Sequence, residues 1–318
     1  MLRTATSPPN CWYCESGSGR WRLNKRDNMI PLAVFGDPIR HSLSPQLHQI
    51  FAHQTGLTVD YRAILAPPET FTEQLQQFFS AGGIGANVTL PHKVSALEIA
   101  DQVSPRARLA GAANTLHMTT RQGLYADNTD GEGLVNDLRL QGAPLTNQCV
   151  LILGAGGAVR GIVAPLLEAG VAQIVVNNRT LSRAQQLVTA FHAQMPASVE
   201  RLFAYTPTHD SQEFDIVIHA AAAGHHGQMG IEFKPAWLKH ASLGYDLSYG
   251  KAAQPFLTAA AALNPKISVV DGLGMLVAQG AASFYIWTGA KPDAEQALAQ
   301  LRQRLVTPLT PITQEAPE

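Results

Sequence analysis

The stretch that most constrains the fold runs from Cys149 to Gly161, CVLILGAGGAVRG. An apolar, partly branched run stops abruptly in glycines, and apolar residues at helical spacing (Ile162, Val163, Leu166, Leu167) follow. That order predicts a buried parallel strand, a tight turn and a helix N-terminus, whose free backbone N–H groups can seat a pyrophosphate. The turn departs from G-x-G-x-x-G, because its third glycine position holds Val159. Gly154, Ala155, Gly156, Gly157 and Ala158 are the turn residues expected to face a dinucleotide.

The next apolar run, Gln173 to Asn178, ends where an adenine ribose would lie. NAD-binding units usually carry Asp or Glu there to hold the 2′-hydroxyl. This chain has Asn178, Arg179 and Thr180, with Arg183 one turn on. Two guanidinium groups in place of an anion suit a 2′-phosphate, which arginine grips through paired hydrogen bonds. Thr180 also reads as the cap of a helix whose first turn is solvated by Arg183, and the two readings are compatible. The expected cofactor is NADP.

At 318 residues the chain has room for two domains, and 46% apolar residues supply an ordinary globular core. A formal net charge of −1 gives no reason to expect nucleic acid or a membrane surface as partner. No apolar run approaches the ~20 residues that span a bilayer. Cys11, Cys14 and Cys149 make no disulfide framework, and Cys149 lies in an expected buried strand, which points to a reducing cytoplasm. Residues 1–28 differ from the rest: Cys11-x-x-Cys14, a Ser/Gly run and a basic stretch, with no apolar signal region. They are expected to be a disordered extension, or to lie upstream of a true start at Met29. No second Cys pair follows to complete a zinc site. His225-His226 are adjacent in a glycine-rich loop rather than spaced i, i+4, and His41, His92 and His219 have loop or strand-end readings. No metal is expected.

From Met29 onward, Pro31 to Phe35 reads as a buried strand leading to the turn Gly36-Asp37-Pro38. Ser44 is placed to cap a helix with Pro45 at its first position, and Gly56 ends that helix. Ser42 is then free, and two hydroxyls beside a helix N-terminus make a seat for a substrate carboxylate. Val59 to Ala63 reads as a strand and Phe71 to Phe79 as a helix. A further strand carries Asn87 and Thr89 on one face, ends at Pro91 and is followed at once by Lys93. Ligands of open α/β sheets gather at such strand ends, although a lone lysine at a helix start is commonly a solvated charge. Residues 110–116 and 124–127 read as a hairpin, and Asp130 opens a helix that it could simply cap. Later strands are expected near Leu202–Tyr205, Asp215–Ile218, Tyr245–Tyr249 and Ile267–Val270. Helices run from Met275 toward Thr288 and over Ala294–Leu305, before Pro308 and Pro311 break up a polar tail.

Seven segments in one order resemble the shikimate dehydrogenase family, from Pro31 to about Leu305. They are GDP…HSLSP (36–45), ANVTLPHK (86–93), GAANT (111–115), DNTDG (127–131), GAGGA (154–158), NRT…R (178–183) and DGLGMLVAQ (271–279). The resemblance implies NADPH-dependent reduction of 3-dehydroshikimate to shikimate in aromatic amino-acid biosynthesis. It implies that Ser42, Ser44 and Tyr249 hold the substrate carboxylate, and that Asn87, Thr89, Asn114 and Gln279 bind the ring hydroxyls. Lys93 and Asp130 become the catalytic pair, with Gly272 and Met275 added on the cofactor side. Charge builds on the carbonyl oxygen as hydride arrives, so an ammonium there stabilises it and supplies a proton. Positioning and charge stabilisation, rather than a free-amine base, are therefore expected of the pair.

The fold class implied is α/β, a Rossmann-type dinucleotide-binding domain and a separate α/β substrate-binding domain with the site in the cleft between them. Residues 29–129 with 271–318 would form the substrate domain and 130–270 the cofactor domain. A homodimer is one expected assembly. The chain departs from the family at 219–224, His-Ala-Ala-Ala-Ala-Gly where relatives often have Asn-Ala-Thr-Ser-Ser-Gly, and at Gln254, where threonine is common. A quinate/shikimate dehydrogenase with broader cofactor use is the alternative, disfavoured by Arg179 and Arg183. A non-catalytic binding protein is disfavoured by retention of both Lys93 and Asp130.

Overall fold

The computed structural model describes residues 13–14, 21–22, 29–221 and 234–306. Cys11, Ala222 to Gly224, His225, His226, Pro308 and Pro311 lie outside the described residues. Two short strands, β1 (Tyr13–Cys14) and β2 (Trp21–Arg22), pair antiparallel with each other. The remaining strands form two six-stranded sheets.

The first sheet contains β3 (Met29–Gly36), β4 (Thr58–Leu65), β5 (Gly85–Val88), β6 (Gln102–Val103), β7 (Thr115–Thr119) and β8 (Gly123–Asp127). Their order is β4-β3-β5-β7-β8-β6. β3 runs parallel to β4 and β5, and β7 is antiparallel to β5 and β8, so the sheet is mixed. Helices α1 (Ser44–Thr55), α2 (Phe71–Ser80), α3 (Lys93–Glu98) and α4 (Pro105–Ala110) belong to this part of the chain. Phe71, Leu75 and Phe79 of α2 pack on one face with Phe35 and Val88.

The second sheet contains β9 (Cys149–Leu153), β10 (Gln173–Asn177), β11 (Leu202–Ala204), β12 (Ile216–His219), β13 (Leu243–Asp246) and β14 (Ser268–Asp271). Every pair is parallel, and the order β11-β10-β9-β12-β13-β14 is the doubly wound 3-2-1-4-5-6 arrangement. Val150, Leu151, Ile152 and Leu153 are fully buried because helices cover both faces. On one side lie α6 (Gly157–Glu168) and α7 (Leu181–Gln194), on the other α8 (Gln254–Leu263).

Three further helices tie the sheets together. α5 (Asp130–Leu140) packs between α6 and α9 (Leu273–Thr288), while α9 and α10 (Ala294–Val306) close over α1. Leu134 and Leu138 of α5 join the core of the second sheet, and Phe284 of α9 joins Leu47 and Phe51 of α1. The return of the C-terminal helices to the first sheet is thus driven by apolar burial. Among the described residues no helix is long and apolar enough to cross a membrane.

Local details differ from the sequence expectations in three places. α1 begins at Ser44 itself with Leu43 at the cap position and no side-chain cap bond, and the Ser42 hydroxyl accepts from the Ser44 N–H at 3.3 Å. β5 stops at Val88, which leaves Thr89 beyond the strand. Thr129 occupies the cap position of α5, Asp130 is its first residue, and the Asp130 N–H is taken by Asn128 Oδ1 at 3.1 Å. That frees the Asp130 carboxylate for other partners.

Candidate active site

Lys93 opens α3, and the start of that helix is held from behind. His92 lies parallel to Phe71 with ring centroids 4.2 Å apart, and its Nε2 donates to the Ala66 carbonyl at 2.5 Å. The Lys93 carbonyl accepts from Ala113 N at 2.7 Å. With its backbone fixed on both sides, the lysine directs its ammonium to Asp130: Nζ and Oδ2 are 2.5 Å apart. The side chains are only 11% and 5% exposed, so solvent screens the pair little.

The other oxygen of Asp130 is also occupied. Asn114 Nδ2 donates to Oδ1 at 2.9 Å, and the same amide lies 3.2 Å from Gln279 Oε1. Gln279 in turn donates to the Leu276 carbonyl at 2.7 Å. Lys93, Asp130, Asn114 and Gln279 therefore converge from α3, α5, the loop before β7 and α9. Asp127 anchors the loop before α5, accepting from Ser104 at 2.6 Å and from Arg106 at 2.7 and 2.8 Å. Burial pushes the Asp127 carboxyl up, but hydrogen bonds from Arg106 and Ser104 outweigh it and hold it below its ordinary range.

The three residues expected at a substrate carboxylate also come together. Tyr249 OH accepts from Leu43 N at 3.4 Å, which sets the phenol beside Ser42 and Ser44. Burial raises the Tyr249 pKa, so the ring carries a neutral hydroxyl. Asn87 stands deeper: it is 5% exposed, and its amide serves Tyr61, Ser283 and the Asn114 carbonyl. Thr89 lies against Gly36, where an added Cβ would sit 2.4 Å from its methyl. Tyr61, Arg106, Thr115, Thr129 and Ser283 carry this framework and were not singled out in the sequence. Thr115 and Thr129 lay inside quoted segments without a role, and Ser283 falls four residues after Gln279 on one helix face.

The glycine turn reaches the same place. A Cβ on Gly157 would lie 3.2 Å from that of Lys93, so turn and lysine are in contact. Gly154 has φ 134°, and a Cβ there would lie 2.9 Å from the Ala220 backbone, which only glycine accommodates. Among the described residues nothing lies within 4 Å of the Gly156 Cβ position, so none of them closes the turn on the side where a pyrophosphate would rest at the start of α6. Arg179, Thr180 and Arg183 are exposed at the end of β10 and the start of α7. Among the described residues neither guanidinium has an ion pair or hydrogen bond, whereas Asn178 Nδ2 is used by the Thr180 carbonyl at 2.9 Å. Thr180 holds the cap position of α7, but its hydroxyl makes no cap bond.

Gly272 is a close approach, its Cβ position 2.3 Å from the Leu247 carbonyl. Met275 is 7% exposed and packs in the core with Leu134 and Tyr245. His219 at the end of β12 bonds Asp246 at 2.8 Å through Nδ1.

A doubly wound parallel sheet, an open glycine turn, two free guanidinium groups after its second strand and a buried ammonium–carboxylate pair beside the turn define a dinucleotide-dependent oxidoreductase. Residues 34–116 match the profile described as shikimate dehydrogenase substrate binding domain, 138–228 that of shikimate / quinate 5-dehydrogenase, and 272–302 that of the shikimate 5'-dehydrogenase C-terminal domain. The chain is 43% identical over 281 residues to a shikimate dehydrogenase (NADP(+)) of Photobacterium profundum, covering 87% of this chain and 99% of that one. It is 46% identical over 274 residues to the Xanthomonas euvesicatoria enzyme of the same name, covering 86% and 95%. Among solved structures, shikimate 5-dehydrogenase from Thermus thermophilus, in complex with NADP(H) and shikimate, superposes with TM-score 0.75 at 32% identity, covering 86% and 99%. The chain belongs to the shikimate dehydrogenase family.

Proposed function

We propose that the protein catalyses the reversible NADPH-dependent reduction of 3-dehydroshikimate to shikimate. The observation that carries this reading is the Lys93–Asp130 pair, buried at 2.5 Å and in contact with the dinucleotide turn. The residues present fit a bound NADP: among the described residues no side chain fills the Gly156 face of the turn, and Arg179 and Arg183 stand unpaired. Backbone N–H groups at Gly156 to Ala158 would hold the pyrophosphate, with Arg179, Thr180 and Arg183 on the 2′-phosphate. NADPH, when bound, supplies the hydride.

The chain's own groups do the rest. The Lys93 ammonium faces the oxygen on which charge develops, stabilises it and gives up a proton to it. Asp130 holds the ammonium in place, and Asn114 holds Asp130. Asn114 and Gln279 present amides to the ring hydroxyls, with Thr89 at the strand edge and Asn87 supporting from below. Ser42, Ser44 and Tyr249 offer hydroxyls to the carboxylate. On this reading residues 29–129 with 271–318 make the substrate unit and 130–270 the cofactor unit.

The test follows absorbance at 340 nm with shikimate and quinate, each against NADP and NAD. Fast turnover of shikimate with NADP is expected. A preference for quinate or for NAD would replace this reading with the broader quinate/shikimate one.

A further inference from the structure

The Lys93–Asp130 pair is one end of a buried polar chain, and two backbone groups fix the direction of its bonds. The Thr129 N–H can only donate, and it donates to Asn114 Oδ1 at 2.8 Å. Asn114 must therefore turn its NH₂ toward Asp130, as observed at 2.9 Å. The Asn114 carbonyl can only accept, and it takes Asn87 Nδ2 at 3.2 Å. Asn87 then presents Oδ1 to Tyr61, whose hydroxyl donates at 2.7 Å.

Three hydroxyls fill the space between the two amides. Ser283 Oγ lies 2.7 Å from Thr115 Oγ1 and 3.2 Å from Thr129 Oγ1, and accepts from Asn87 Nδ2 at 3.0 Å. Thr115 donates to Asn114 Oδ1 at 2.8 Å. Ser283 and Thr129 are fully buried and Thr115 is 1% exposed. A serine inside a helix usually bonds the carbonyl one turn back, and Ser283 is 3.0 Å from that of Gln279. Because the Thr115 proton is spent on Asn114, the single Ser283 proton goes instead to Thr115 Oγ1, the nearer acceptor at 2.7 Å, while Ser283 accepts from Asn87.

We propose that Ser283 is a positioning residue for the reaction. Through the hydroxyl cluster it holds Thr129 and Asn114, and so aims the Asp130 carboxylate at Lys93. Ser283 bonds neither Lys93 nor Asp130, so its effect reaches the reacting atoms through Asn114 and the backbone before Asp130. The inference rests on the reading of Lys93 and Asp130 as the acting pair.

The experiment measures kcat and KM with shikimate and NADP, together with thermal melts, on the full chain. The variants are Ser283→Ala, Thr115→Val, Asp130→Ala, Lys93→Ala and the doubles of the first two with Asp130→Ala. Ser283→Ala is expected to lower kcat about tenfold with KM for shikimate within about twofold, and Thr115→Val to do the same. In the Asp130→Ala background Ser283→Ala should change kcat by less than about twofold, because the group it aims is gone. A purely structural serine would lower the melting temperature alone, or cut kcat by the same factor in both backgrounds, and either result overturns the proposal. Should Ser283→Ala fail to fold, Thr115→Val and its double carry the same comparison. Near-native turnover by Lys93→Ala would remove the reading of the pair itself. A slow Lys93→Ala beside a Ser283→Ala of native rate would remove this proposal alone.

Discussion

Lys93 owes its place to neighbours on both sides, His92 bonded to Ala66 and Asp130 bonded to the ammonium. Removing the ammonium leaves the developing oxyanion without its charge partner in a site that water barely reaches. Lys93→Ala is therefore expected to lower kcat by ~10²–10³, with a much smaller change in KM for shikimate. Asp130→Asn should also be slow, since the ammonium loses its charged partner; steady-state kinetics at saturating cofactor read both. Arg179 and Arg183 face solvent and, among the described residues, pair with no carboxylate, so their charges are available to a phosphate. The double variant Arg179→Ala, Arg183→Ala should lose kcat/KM with NADP by about two orders of magnitude while weak NAD activity stays level. Equal small losses with either cofactor would show the arginines to be ordinary surface charges. The two arginines and Lys93 could be singled out from sequence because a short motif surrounds each. Ser283 and Tyr61 could not, because one hydroxyl in a strand or helix looks like any other until long-range contacts bring them together, and Thr115 lay inside a quoted segment without a role.

Among the elements, α5 is the one on which both sheets depend. It packs against α6 and α9 at backbone distance: a Cβ on Gly131 would lie 2.4 Å from the Gly161 carbonyl and 2.2 Å from Pro165. One on Gly274 of α9 would lie 2.1 Å from the Asp137 carboxylate, which accepts from Tyr245 OH at 2.5 Å. Gly131→Ala should thus push α5 off α6 and cost roughly 1–3 kcal/mol of stability, read by urea unfolding. Kinetics should suffer as well, because Asp130 precedes Gly131 directly. Strand and helix positions were largely legible, since periodicity and glycine stops are local. Which residue of Ser42-Leu43-Ser44 or Asn128-Thr129-Asp130 serves the free N–H was not, because that depends on where each chain direction enters its helix. Met275, grouped by the resemblance with the cofactor contacts, packs in the core with Leu134 and Tyr245.

On the scale of the whole molecule, His48 sets a prediction for pH. Its ring is fully buried, stacked on Tyr61 at 4.1 Å among Phe51, Phe284 and Trp287, and among the described residues no group meets either nitrogen at full hydrogen-bond geometry. Burial pushes its pKa from 6.5 down to about 3, partly opposed by the nearby Asn87 amide. Above pH 6.5 the ring is neutral in both folded and unfolded chains. As pH falls from 6.5 toward 3, the unfolded chain binds a proton that the folded one refuses, and stability drops. The loss is at most about 1.4 kcal/mol per pH unit for one proton. Asp127 acts lower: its folded pKa is depressed, so its contribution is present above 3.8 and lost as pH falls further. Urea unfolding between pH 6.5 and 4.5 should show a flatter slope for His48→Phe than for the natural chain; equal slopes would mean that His48 takes up its proton while folded.

The sequence by itself determined the second sheet's glycine turn, the α/β class and the run of Asn178, Arg179, Thr180 and Arg183 after the second strand, while Lys93 and Asp130 stood out as a pair only through the family resemblance. Each of these is written in a contiguous segment whose backbone geometry follows from glycine, proline and apolar spacing. The tertiary structure decided what those segments meet. It brought Lys93 of α3 to Asp130 of α5, closed α9 onto α1, and gathered Asn87, Thr115, Thr129 and Ser283 into one buried network. Hydrogen bonds between side chains as distant in sequence as 87 and 283 arise only when apolar burial has packed their helices and strands, and no local pattern encodes them.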